Sequence, residues 1–164
     1  MFKLEKIEFE NKEQKYNFIN AKMRGLVSTE DDFIANMANA AALLWNTMED
    51  INWSGFYRWD DEKKELVLWP FCGLPACTRL KDGKGVCNAA VIKVETVVVE
   101  NVHDFEGHIA CDGASNSEIV VPMIKDGRIL GVLDIDSPKI ARFDETDRKG
   151  LEKLVDTLLK YSKI

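Results

Sequence analysis

The chain has 164 residues, 46% of them hydrophobic and 30% charged, with a net charge of −6. That suffices for one domain, spanning 1–164, with a substantial core. The acidic balance excludes an electrostatic grip on nucleic acid or on an anionic membrane. The first eight residues are charged and carry no apolar h-region, and no apolar run approaches the roughly 20 residues that span a bilayer, so a cytoplasmic location is expected.

Residues 12–26 are a helix candidate with a weak stripe of Phe18, Ile19 and Met23. Ser28 or Thr29 can cap a second helix, whose apolar positions 33, 34, 37, 38, 41, 44, 45 and 48 keep a helical period and place Trp45 in the core. From Ile51 to Trp59 the pattern alternates, with Ile51, Trp53, Gly55, Tyr57 and Trp59 on one face of a strand. After a turn at 60–63, residues 65–69 return as a second strand. Residues 71–92 are rich in glycine and cysteine, with a short helix at 86–92. Residues 96–100 read as a β-branched strand and 101–116 as a long loop, of a length usually tied to function. Strands at 118–124 and 128–136 follow, joined at Lys125-Asp126-Gly127. A last helix begins near Asp144 with the stripe Leu151, Leu154, Val155, Leu158 and Leu159. Helices, an antiparallel run of strands and a closing helix make an α+β fold.

Cys72, Cys77, Cys87 and Cys111 form no C-x-x-C pair, and His103 and His108 do not complete a zinc set, so no metal is expected. In a reducing compartment an even count of cysteines points to catalysis or metal binding rather than to a structural staple, and without the zinc set catalysis is the reading taken. Cys111 stands in the polar loop Gly107-His-Ile-Ala-Cys-Asp112, open to a small molecule and then to a second thiol. His103 and His108 read as loop-ordering hydrogen-bond partners, and Cys72 as a buried apolar side chain.

Asp134 and Asp136 lie two apart on a strand and share a face, with Leu133 and Ile135 on the other. The hairpin register places Glu118. A two-residue Asp126-Gly127 loop turns Glu118 away from both aspartates. A three-residue loop with a bulge at Gly127 sets it opposite Asp134 and pairs Ile119 with Leu133 and Met123 with Ile129, and this register is preferred. Carboxylates crowded on an inward face need a cation or a shared proton. They suit a small ammonium-bearing ligand, and one of them becomes a proton donor near neutral pH. The same charge disfavours a thiolate at Cys111 until substrate arrives.

The segments Asn52-Trp-Ser-Gly-Phe-Tyr57, Gly73-Leu-Pro-Ala-Cys77, Gly83-Lys-Gly-Val-Cys87, Gly107-His-Ile-Ala-Cys-Asp112, Ser117-Glu-Ile-Val-Val-Pro122 and Gly131-Val-Leu-Asp-Ile-Asp-Ser137 together resemble the free methionine-(R)-sulfoxide reductases, enzymes built on a GAF domain. The resemblance covers about residues 10–162. It implies an antiparallel sheet with helices packed on one side and a ligand pocket on the other. It also implies reduction of the free amino acid sulfoxide with no bound cofactor. Cys111 would be the nucleophile, and Cys77, or alternatively Cys87, the resolving thiol. Thioredoxin would reduce the resulting disulfide. Glu118, Asp134, Asp136, Trp53 and Tyr57 match substrate-binding positions. Departures are Cys72 where a glutamine is frequent, Asn88 after Cys87, and Phe105-Glu106-Gly107. Homodimerisation stays open. A non-catalytic GAF sensor is the rival reading, and three matching cysteines favour the enzyme.

Overall fold

The computed structural model describes residues 8–81, 83–107 and 112–164. Helix α1 (Lys12–Val27) starts at Asn11, whose side chain accepts from the Gln14 backbone N–H, and buries Tyr16, Ile19, Asn20, Met23 and Val27 at helical spacing. Helix α2 (Phe33–Thr47) begins later than a cap at Ser28 or Thr29 would place it. Asp32 is the cap and accepts from the Ala35 N–H. The Ser28 and Thr29 hydroxyls instead donate back to the Gly25 and Leu26 carbonyls, closing α1. Trp45, expected in the core, is 38% exposed, as is Ile34 at 49%. Both fall on one margin of a stripe wider than the face a helix can lay on a sheet. Helix α4 (Glu145–Tyr161) matches its expected start and stripe, with a capping box between Asp144 and Asp147.

The strands are β1 (Trp53–Asp60), β2 (Glu65–Gly73), β3 (Arg79–Leu80), β4 (Val97–Val99), β5 (Ser117–Lys125) and β6 (Arg128–Ser137). They form one antiparallel sheet in the order β3-β2-β1-β6-β5-β4. Alternation decides the layers. Phe56, Ile119, Val121, Met123, Leu133 and Ile135 point to one face and build the main core with α1, α2 and α4. Trp53, Tyr57, Val120 and Val132 point to the other, where helix α3 (Gly85–Lys93) packs. Ile51 precedes the strand and joins the main core, not the face of Trp53. Thus α1, α2 and α4 occupy the expected side, and α3 shares the opposite side with the pocket. No described helix is long and apolar enough to cross a membrane.

The β5–β6 register corrects the expectation. Lys125 pairs with Arg128, so the turn is the two-residue Asp126-Gly127, with φ of 51° and 74° at the two positions. The extra residue sits within β6 instead: Ile124 pairs with Ile129 but Met123 with Gly131, leaving Leu130 as a bulge. Ile119 therefore faces Ile135, not Leu133, and Met123 faces Gly131, not Ile129. Glu118 lies opposite Asp136 and still shares the face of both aspartates. The bulge restores the parity that a two-residue turn alone would have broken.

At Gly131 the chains come unusually close. A Cβ there would lie 2.0 Å from the Tyr57 carbonyl oxygen and 3.0 Å from the Arg58 Cα. Backbone cannot yield as a side-chain tip can, so Gly131→Ala is expected to push β6 from β1. The destabilisation should fall in the overpacking range of about 1–3 kcal/mol, read as a lowered denaturation midpoint in urea.

Candidate active site

The pocket lies between the open face of β1, β6 and β5 and the first turn of α3. Its aromatic wall comes from alternate residues of β1. The Trp53 and Tyr57 rings stack at 5.7 Å, and Phe71 of β2 stacks on Trp53 at 5.3 Å. Gly55 between them is required: a Cβ there would stand 2.3 Å from the Phe71 Cβ and 2.7 Å from the Trp53 ring. Both aromatics also hold the β2–β3 loop. The Trp53 Nε1 donates to the Leu74 carbonyl at 3.2 Å and the Tyr57 hydroxyl to the Cys77 carbonyl at 3.2 Å.

The floor is acidic. Pairing places Trp53, Asp136 and Glu118 in one row across the sheet and Gly55, Asp134 and Val120 in the next. Glu118 and Asp134 are each 6% exposed. Asp136 is half-buried. From α3, buried Cys87 reaches down to them, its Sγ 3.9 Å from Glu118 Oε1. Burial is the main force on every one of these groups. It pushes the Asp134 carboxyl up to about 7, against the hydrogen bonds from Cys87 and Glu118 that hold it down. It raises Glu118 and Asp136 well above the carboxylate range, with the Asp134 charge adding to both. It raises the Cys87 thiol too, reinforced by the charges of Asp134 and Glu118. Cys87 is therefore a protonated thiol near neutral pH and a poor nucleophile in the empty pocket.

The rim is a built loop. Asn52 donates through Nδ2 to Asp112 Oδ2 at 2.8 Å and to Ser115 Oγ at 3.0 Å, and Asp112 Oδ1 accepts from the Ala114 N–H. A hydrogen bond with Ser115 steadies the Asp136 carboxylate. Lys84 and the first turn of α3 also line the pocket, and Lys84, at the N-cap, makes no side-chain capping hydrogen bond. The leading N–H groups of the helix and its dipole thus offer positive charge toward the cavity.

Comparison with known proteins accords with this geometry. The GAF domain family matches residues 28–158. The free methionine-R-sulfoxide reductase of Escherichia coli is 47% identical over 92% of this chain and 90% of its own. Protein YtsP of Bacillus subtilis is 48% identical over 98% of each chain. The X-ray structure of the free methionine-R-sulfoxide reductase from Neisseria meningitidis in complex with its substrate superposes with a TM-score of 0.92 at 44% identity, covering 98% of this chain and 95% of that one.

The chain belongs to the free methionine-R-sulfoxide reductase family.

Within this reductase fold, the structure brings Trp53, Tyr57, Cys87, Glu118, Asp134 and Asp136 to one pocket. Cys77 follows the pocket-lining segment Leu74-Pro75-Ala76, is half-buried and is disulfide-bonded. Cys72 and Cys87 are free thiols. Cys111 and His108 lie outside the described residues. His103 orders the loop as expected, its Nε2 2.8 Å from Asn116 Oδ1. Sequence reading missed Lys84, Asn52 and Ser115. The glycines flanking Lys84 and the Asn52 beside Trp53 were visible, but their roles depend on which elements meet across the pocket.

Proposed function

We propose that this chain reduces free L-methionine (R)-S-oxide to L-methionine, using Cys111 as nucleophile and Cys77 as resolving thiol. The observation that carries the reading is the buried acidic floor beneath an aromatic wall, beside a disulfide-bonded Cys77. The zwitterion fits the charges of the cavity. Its ammonium meets the carboxylates of the floor, its carboxylate meets Lys84 and the open first turn of α3, and its methyl group and stem lie against Trp53 and Tyr57. Burial keeps one carboxyl of the floor protonated near neutral pH, and that proton is available to the sulfoxide oxygen.

The reaction then balances in three steps. The Cys111 sulfur attacks the substrate sulfur, the oxygen ends on Cys111 as a sulfenic acid, and methionine leaves. The Cys77 thiol attacks that sulfenic sulfur, forming the disulfide and releasing water. Thioredoxin, a cytoplasmic dithiol, reduces the disulfide by exchange. Cys77 is favoured over Cys87 because Cys87 is a free, buried thiol held protonated by burial and its acidic neighbours. No bound metal or cofactor enters this sequence.

The division of labour between the cysteines is tested by Cys77→Ser. The expected result is release of about one methionine per site, followed by a stall with thioredoxin and recovery with a small thiol that attacks the sulfenic acid directly. Undiminished thioredoxin-dependent turnover would pass the role to Cys87 or Cys72.

A further inference from the structure

We propose that Cys87, Glu118 and Asp134 form a binding site for a thiophilic divalent cation, zinc(II) above all, on the floor of the pocket. Their sulfur and carboxylate oxygen atoms all lie within 4.8 Å of one another, and all three residues are buried. A second observation points the same way. Asp134 is 6% exposed and lines the cavity, and its Oδ1 is buried without a hydrogen-bond partner. A buried carboxylate oxygen left without a donor on such a floor is satisfied by a cation.

The donor set selects the kind of ion. Zinc takes thiolate sulfur at about 2.3 Å and carboxylate oxygen at about 2.0–2.2 Å, so ligand atoms spaced as these are close on it with small side-chain rotations. Calcium and magnesium demand six or more oxygen ligands, and the cluster offers one sulfur and two carboxylates. On coordination the Cys87 proton passes to solvent. Water or Asp136, which faces Glu118 across the β5–β6 pair, completes the coordination. The ligands come from α3, β5 and β6, so no short Cys–His spacing announces them, and sequence reading expected no metal. Cys77 is engaged in its disulfide while Cys87 is free, so the site exists in the oxidised protein.

One consequence rests on the function proposed above. The same carboxylates receive the substrate's ammonium, so metal and amino acid exclude each other, and zinc is a reversible inhibitor of the pocket.

The test uses the oxidised full chain, freed of metal and titrated with cobalt(II). One equivalent should produce a thiolate-to-cobalt charge-transfer band that zinc abolishes by displacement. Cys87→Ala should remove the band and weaken zinc binding by more than the roughly 10–100-fold that an outer-shell partner costs. Cys87→Ser, closer in size, serves if the alanine variant does not fold. A folded wild-type protein without the band, or a band unchanged in either folded Cys87 variant, would overturn the site. Free methionine sulfoxide should then displace the cobalt, and a band that survives saturating sulfoxide would overturn mutual exclusion. Reductase activity in metal-free buffer tests the functional reading separately, because the absorption band reports binding whether or not turnover occurs.

Discussion

Cys111→Ser is expected to abolish reduction of free methionine sulfoxide, even with dithiothreitol in excess. A serine hydroxyl stays protonated at neutral pH and cannot accept oxygen in a form that a second thiol can reduce. The loss therefore extends to the first turnover, unlike that of Cys77→Ser, which retains one. The variant should still bind the sulfoxide, since the acidic floor and the aromatic wall are untouched. Rapid-quench measurement of methionine released per site decides the matter, and a normal single-turnover burst in the variant would remove Cys111 from the centre of the mechanism.

The second large effect is expected on the floor of the pocket. If the floor holds the substrate's ammonium as proposed, Asp134→Asn, Asp136→Asn and Glu118→Gln would each delete one charge-assisted contact to it. Such contacts are typically worth about 1.5–3 kcal/mol, or roughly ten- to a hundredfold in kcat/KM. A solvated strand edge would give almost no effect, within about 0.5 kcal/mol, but Glu118 and Asp134 are each 6% exposed. The same burial makes a prediction about stability. Asp134 is raised from 3.8 to about 7, so between those pH values the folded protein holds a proton that the unfolded chain has released. The stability this contributes is complete below about pH 4 and is lost as pH rises to about 7. Its neighbours Glu118 and Asp136 shift in the same direction. Asp134→Asn should therefore stabilise the chain more at pH 8 than at pH 5. Thermal unfolding at the two values reads the difference, and equal shifts would show that Asp134 does not carry this burden.

The acidic face illustrates what the sequence conveys and where it stops. Alternation in 132–136 is enough to turn Asp134 and Asp136 from the core, because the period of a strand is local. Where Glu118 falls depends on the whole hairpin, so its expected face is correct although its expected register is not. The bulge sits at Leu130, where Gly131 slips past the Tyr57 carbonyl, and not at Gly127. Nothing near the turn announces it, since the cause is a neighbouring strand. Trp45 failed similarly: its spacing is helical, but only the width of the sheet decides which margin of α2 is wetted. Lys84 and the uncapped start of α3 were invisible for a third reason, in that a helix becomes part of a site only when another element closes the cavity before it. By contrast, α4 was legible to its capping residue, because Asp144 and the leucine stripe are set by local geometry alone.

The central claim is that the pocket serves the free zwitterion, and initial rates on a small panel of sulfoxides test it most directly. With dithiothreitol or thioredoxin as reductant, free L-methionine (R)-S-oxide should be reduced. Its S epimer, the N-acetylated R form and an R-sulfoxide within a peptide should be poor substrates, the last two because neither presents an ammonium to Glu118, Asp134 and Asp136. Efficient reduction of the acetylated or peptide form, or no reduction of the free R-sulfoxide by the folded, fully reduced protein, would contradict it.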